Sequence, residues 1–150
     1  MTAQQNAPQI VLGTMDHGTR VEQTTAFRLL DRFVEAGGHW LDTANCYAFW
    51  TDPSGLGGAS ERVLGAWLRA NPGVRSAVGL ATKVRQDPLV AHAWPESAEG
   101  LSASAVRAGL DGSLERLGVD HVARLWAAAA ERAVARSECC AGGAAGGRAG

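Results

Sequence analysis

The chain of 150 residues is long enough for one domain with a sizeable core, and its composition, 46% apolar with 14 basic against 15 acidic residues, is that of a globular protein. Its charges are scattered without runs, which leaves no basic stripe for a nucleic-acid backbone or an anionic membrane surface, and no apolar stretch approaches the length of a membrane span. The first nine residues lack the charged and apolar regions of a leader, so the expected location is the cytoplasm; Cys46, Cys139 and Cys140 form neither a disulfide framework nor a metal-ligand spacing.

In chain order, IVLGTM (residues 10–15) is a short apolar run that reads as a buried strand ending at a Gly-Thr corner. The segment TRVEQTTAFRLLDRFVEAGG reads as a helix. It opens on the capping-box pattern Thr19-x-x-Glu22, places Phe27, Leu30, Phe33 and Val34 on one face, and stops at Gly37-Gly38. HWLDTA (residues 39–44) reads as a second strand, followed by a glycine-rich loop TDPSGLGG. Next, ASERVLGAWLRANPG predicts a helix with Ser60 as first-turn cap and Val63, Leu64, Trp67 and Leu68 on one face, stopped by Asn71-Pro72-Gly73. SAVGLATKV (residues 76–84) is a third strand. SASAVRAGLDGSLERLG is a third helix, with Val106, Leu110, Leu114 and Leu117 as its stripe and Gly118 near its end, and VDHVARLW opens a fourth strand.

Strands alternating with helices predict a parallel α/β sheet, because a parallel neighbour requires a crossover of this length. Two architectures fit: an open doubly wound sheet and a (β/α)₈ barrel. The first strand-to-helix turn has no G-x-G-x-x-G, which favours the barrel. A complete barrel takes about 250 residues, so the expected object is a partial barrel of the first three to four repeats.

In such a barrel the functional rim lies at the carboxyl ends of the strands. Asp42 ends the second strand and Lys83 the third, Tyr47 lies in the loop leaving the second, and Gly13-Thr14-Met15 leaves the first. An ammonium beside a phenol favours its ionised form, and a carboxylate accepts the ammonium's hydrogen bonds and holds it in place. The trio therefore reads as a tyrosine acid tuned to protonate a carbonyl oxygen while hydride from a nicotinamide reaches the carbon.

The segments LGTM, FVEAGGHWLDTANCY, GGASERVLGAWL, LATKV and SLERLGVDHV, in this order and spacing across residues 9–122, resemble the aldo-keto reductases. The resemblance implies a (β/α)₈ barrel that binds NADP(H) and reduces an aldehyde or ketone. It implies Tyr47 as proton donor, Lys83 as the residue that eases its ionisation and Asp42 as the partner of Lys83. Thr14, Met15 and Asp42 become the cofactor-contact candidates. Phe49 and Trp50 are candidates for the substrate pocket, against the plain alternative of partly exposed aromatics.

Two departures stand against a working enzyme. The family ends its fourth strand D-L-x-x-x-H, the histidine orienting the carbonyl; here Ala123 stands at the aspartate and Ala128 at the histidine. From residue 123 to 150, twenty of twenty-eight residues are Ala, Gly or Arg, too few large apolar side chains for a packed layer. That tail reads either as a linker or as a stretch read out of frame. The resemblance places most phosphate and adenine contacts in the other half of the barrel, so weak cofactor binding is expected, with a non-catalytic remnant as the alternative function. An open sheet edge further predicts self-association. Chemistry through Cys46 has little support, since no acid/base partner accompanies it.

Overall fold

The computed structural model describes residues 9–129. Four strands, β1 (Val11–Gly13), β2 (Trp40–Asp42), β3 (Gly79–Val84) and β4 (Arg124–Ala127), alternate with three helices, α1 (Gln23–Glu35), α2 (Ala59–Ala70) and α3 (Ala103–Leu117). The sheet order is β1-β2-β3-β4 and each neighbouring pair is parallel. Each strand is thus added beside the one before it by a helical crossover, the first half of the winding of a (β/α)₈ barrel. No helix among the described residues is long and apolar enough to cross a membrane.

The helices form one layer against one face of the sheet. Leu30 of α1, Leu41 of β2, Leu64, Trp67 and Leu68 of α2, Leu80 of β3 and Leu117 of α3 meet in a single buried cluster, with Leu12, Phe27, Phe33 and Val34 packed at its margin. The stripes predicted for all three helices therefore face the sheet, and side-chain alternation puts Leu12, Leu41 and Leu80 on the same side of their strands. A second cluster, Val84, Leu101 and Val106 with Leu125 against it, seats β4 on the start of α3. Trp67 also donates its indole N–H to Asp31 (2.8 Å), tying α2 to α1.

Helix boundaries follow local chemistry in one case and tertiary demands in two. At α3, Ser102 accepts from the Ala105 N–H, and Gly118, in the left-handed region at φ 69°, closes the end. For α1 the capping box is not formed. Gly18, at φ 84°, bends residues 16–21 into a turn, Thr19 donates to the Asp16 carbonyl, and the helix begins only at Gln23. Neither does Ser60 cap α2: the N-cap is Gly58, left-handed at φ 87°, and the Ser60 side chain turns inward. Gly65 marks the closest approach of α2 and α3, where a Cβ would stand 2.2 Å from the Arg116 carbonyl oxygen.

β4 lies within the stretch that composition sets apart from residue 123 onward, with Trp126 opposite Lys83 and Ala127 opposite Val84. Cys139, Cys140 and the Ala/Gly-rich end from residue 130 lie outside the described residues.

Candidate active site

Asp42 closes β2 and pairs in register with Ala81 of β3. Two residues on, Lys83 projects from the same face of the sheet. Past the end of β2 the chain keeps following β3, since the Thr43 N–H donates to Ala81 and the Asn45 N–H to Lys83. It then curls into a turn at Ala48, a buried residue held at φ 66°, whose carbonyl accepts from the N–H groups of Thr51 and Asp52. This turn carries Tyr47 back over the sheet.

The result is a three-way contact. The Lys83 ammonium donates to Asp42 Oδ2 at 2.5 Å, to the Thr43 carbonyl at 2.8 Å and to the Tyr47 phenol oxygen, while lying 4.3 Å from the centre of the tyrosine ring. The Tyr47 hydroxyl also reaches Asp42 Oδ2 at 3.4 Å. The side chains of Lys83 and Asp42 are 20% and 25% exposed, so the group lies at the surface of the rim and a ligand can reach it. Both hydrogen bonds to the Asp42 carboxylate fall on Oδ2, which leaves Oδ1 free among the described residues to accept from a hydroxyl.

The remaining candidates occupy different places. Thr14 is fully buried, its hydroxyl donating to the Asp42 carbonyl and sharing a hydrogen bond with Ser60, so that side chain belongs to the scaffold. Met15 stands exposed on the rim. Phe49 and Trp50 touch edge to face with centroids 5.1 Å apart, and Trp94, from the loop after β3, joins them at 5.8 Å from Phe49. Trp94 was not singled out in the sequence, where it sits in an irregular Pro-flanked loop with no periodic pattern to mark it.

A buried polar framework underlies the rim. The Ser60 hydroxyl contacts the Thr14 carbonyl (2.7 Å) and both the Thr14 and Thr43 hydroxyls, joining the ends of β1 and β2 to the start of α2. Glu61, fully buried, accepts from Thr82 of β3 (2.6 Å) and from Arg116 of α3 (2.7 Å). Glu99 accepts from the Asn45 side chain and the Arg85 N–H, each at 2.7 Å, and so fixes the starts of the loops that leave β2 and β3. Asp87 accepts from the Gly57 N–H (2.9 Å). Burial pushes the Asp87 carboxyl up to about 6, against the pull of the Gly57 N–H and the Arg116 charge.

Two other titratable groups near the rim are poor candidates for chemistry. Burial raises the Cys46 thiol to about 11, with the Asp87 charge adding to the effect, so it stays protonated and unreactive at neutral pH. His17 is buried, and desolvation shifts its ring down from the ordinary histidine range, opposed by the charge of Asp16.

Residues 9–141 match the sequence pattern of the Aldo/keto reductase family, a span that runs past residue 122 and takes in β4. The chain belongs to the aldo/keto reductase family. Among curated relatives, it is 37% identical over 114 residues to the uncharacterized oxidoreductase YrpG of Bacillus subtilis (strain 168), covering 76% of this chain and 34% of that protein. It is 37% identical over 128 residues to the norsolorinic acid reductase stcV of Emericella nidulans, covering 78% of this chain and 30% of that one. An uncharacterized 11.2 kDa protein of Pseudescherichia vulneris is 41% identical over 80 residues, covering 53% of this chain and 77% of the other. The chain thus spans about a third of the two longer relatives, and the partial parallel barrel seen here is the corresponding part of the family's (β/α)₈ fold.

Proposed function

We propose that the chain carries the proton-donating part of an NADP(H)-dependent reductase of aldehydes or ketones. The observation that supports this most directly is the position of the Lys83 ammonium, in hydrogen-bond contact with both the Tyr47 phenol and the Asp42 carboxylate. In the proposed reaction the Tyr47 hydroxyl gives its proton to the substrate carbonyl oxygen, and the adjacent ammonium stabilises the phenolate left behind. Asp42 and the Thr43 carbonyl hold that ammonium in place. NADP(H), when bound, supplies the hydride that reduces the carbonyl carbon. The donor set fits the nicotinamide end of such a cofactor, because Asp42 Oδ1 is available to a ribose hydroxyl, and Met15, exposed just past the end of β1, is an apolar surface for it. The aromatic group Phe49, Trp50 and Trp94 favours a substrate with an aromatic ring. Similar chains include proteins called aryl-alcohol dehydrogenases.

A second reading, a non-catalytic remnant, draws on the end of β4. There Ala128 donates its N–H to the Val84 carbonyl and presents only a methyl group at the position where the family resemblance implies a histidine. NADPH consumption with an aromatic aldehyde separates the two. Turnover by the unaltered chain that falls by at least ~100-fold in Tyr47→Phe supports the reductase reading. Turnover indifferent to Tyr47→Phe sinks the proposed mechanism, and absence of both turnover and NADPH binding by cofactor fluorescence supports the remnant.

A further inference from the structure

The two strands that carry the site both lead into backbone that residues with a Cβ seldom adopt. After β2, Ala48 lies at φ 66°; after β3, Arg85 and Gln86 lie in succession at φ 84° and φ 75°. Tyr47 directly precedes the first of these turns and Lys83 stands two residues before the second. The contact between phenol and ammonium is thus set between two strained exits, which stay in place only where surrounding groups hold them.

That hold converges on one atom. Glu99 Oε2 accepts from the Asn45 side-chain N–H, two residues before Tyr47, and from the Arg85 backbone N–H, two residues after Lys83, each at 2.7 Å. The Asn45 N–H already donates to the Lys83 carbonyl at 3.0 Å, and Glu99 adds the bonds that fix the chain on either side of that pair. Asn45 is 1% and Glu99 6% exposed, so water does not compete for them. The carboxylate is seated in turn. Its own backbone N–H donates to the Asp87 carbonyl at 2.9 Å, where Pro88 bridges Ala98 and the loop between β3 and α3 closes on itself. Oε1 lies over Gly109 in the middle of α3, where the Cβ of any other residue would collide with it. Glycine is a poor helix former, and this one leaves the room that the carboxylate takes.

We propose that Glu99 is a positioning residue of the proton-donating site: through Asn45 and Arg85 it fixes the Tyr47 phenol against the Lys83 ammonium. Its effect on turnover rests on the reductase reading; its effect on the Tyr47 ring does not. Both donors fall on one oxygen, so an amide in place of the carboxylate keeps an acceptor for both, whereas a methyl group keeps none.

The chain has one tyrosine, so incorporated fluorotyrosine labels Tyr47 alone, and fluorine NMR reads its ring without turnover. The folded chain is expected to show one resonance displaced from that of the urea-unfolded chain. Glu99→Ala should move it toward the unfolded position with helical circular dichroism retained, and Glu99→Gln should leave it in place. In NADPH-dependent turnover, Glu99→Ala is expected to lower kcat by at least ~10-fold with KM unchanged, and to add little in the Tyr47→Phe background. An unmoved resonance in Glu99→Ala overturns the proposal. So does Glu99→Gln behaving like Glu99→Ala, or a loss that multiplies with that of Tyr47→Phe. If Glu99→Ala does not fold, Asn45→Ala, which removes one donor and leaves the carboxylate, takes its place with the same expected displacement, and an unmoved resonance there overturns the proposal. Where the unaltered chain has no turnover, the reductase reading fails by itself and the resonance alone decides the role of Glu99.

Discussion

Lys83 uses the full donor capacity of an ammonium: three N–H groups and three acceptors, on Asp42, Thr43 and Tyr47. Its orientation is therefore set from three sides, which an Arg fork at the same place does not reproduce. Lys83→Met is expected to lower NADPH-dependent turnover by ~10²- to 10⁴-fold. The double variant with Tyr47→Phe should fall little further, because the two side chains serve one proton transfer; steady-state kinetics of the single and double variants would show additive losses if they acted separately. Asp87 gives a prediction about pH. Its carboxyl, raised to about 6 mainly by burial, binds a proton in the folded chain at pH values where the unfolded chain has released it. Stability from this group is thus fully present below about pH 4, is lost as pH rises through about 6, and stays lost above that. Asp87→Asn keeps an acceptor for the Gly57 N–H but carries no charge, so it is expected to stabilise the fold at pH 7.5 by roughly 1 kcal/mol, an amount reduced for the partial exposure of the site, and to change little at pH 4. Urea unfolding at the two pH values measures it; equal effects at both would show that the charge is not the cause.

Between elements, the tightest seam is that of α2 with α3. Gly65→Ala would drive a Cβ to within 2.2 Å of the Arg116 carbonyl, so the helices must separate, and a loss of about 1–3 kcal/mol in urea unfolding is expected. Arg116→Ala acts at the same seam in another way, leaving the Glu61 carboxylate buried without its charged partner, and should cost about 3–5 kcal/mol. The contrast shows what the sequence could disclose. The apolar stripes of all three helices were legible because helical period and burial coincide at Leu30, Leu64, Trp67 and Leu117. The end of α3 was legible because Gly118 acts within one turn of itself. The start of α1 was not, since Gly18 diverts the chain into a turn before the cap can form. Ser60 could not be read correctly from neighbours, because its partners Thr14 and Thr43 are 46 and 17 residues away. Tyr47, Lys83 and Asp42 were picked out by their places at strand ends and by the resemblance, whereas Glu99 and Trp94, which support and extend the rim, come from an aperiodic loop and gave no local signal.

For the molecule as a whole, stability should be distributed unevenly across the sheet. β3 has a paired strand on each side and four of its six residues buried, whereas β1 and β4 have one partner each among the described residues and mostly exposed side chains. The amides of Leu80 to Val84 should therefore exchange slowest among the strands, near the global unfolding limit, and those of Val11–Gly13 and Arg124–Ala127 fastest. Hydrogen exchange followed by NMR reads this order strand by strand, and edge strands that exchange as slowly as β3 would show instead that the sheet opens as one cooperative unit.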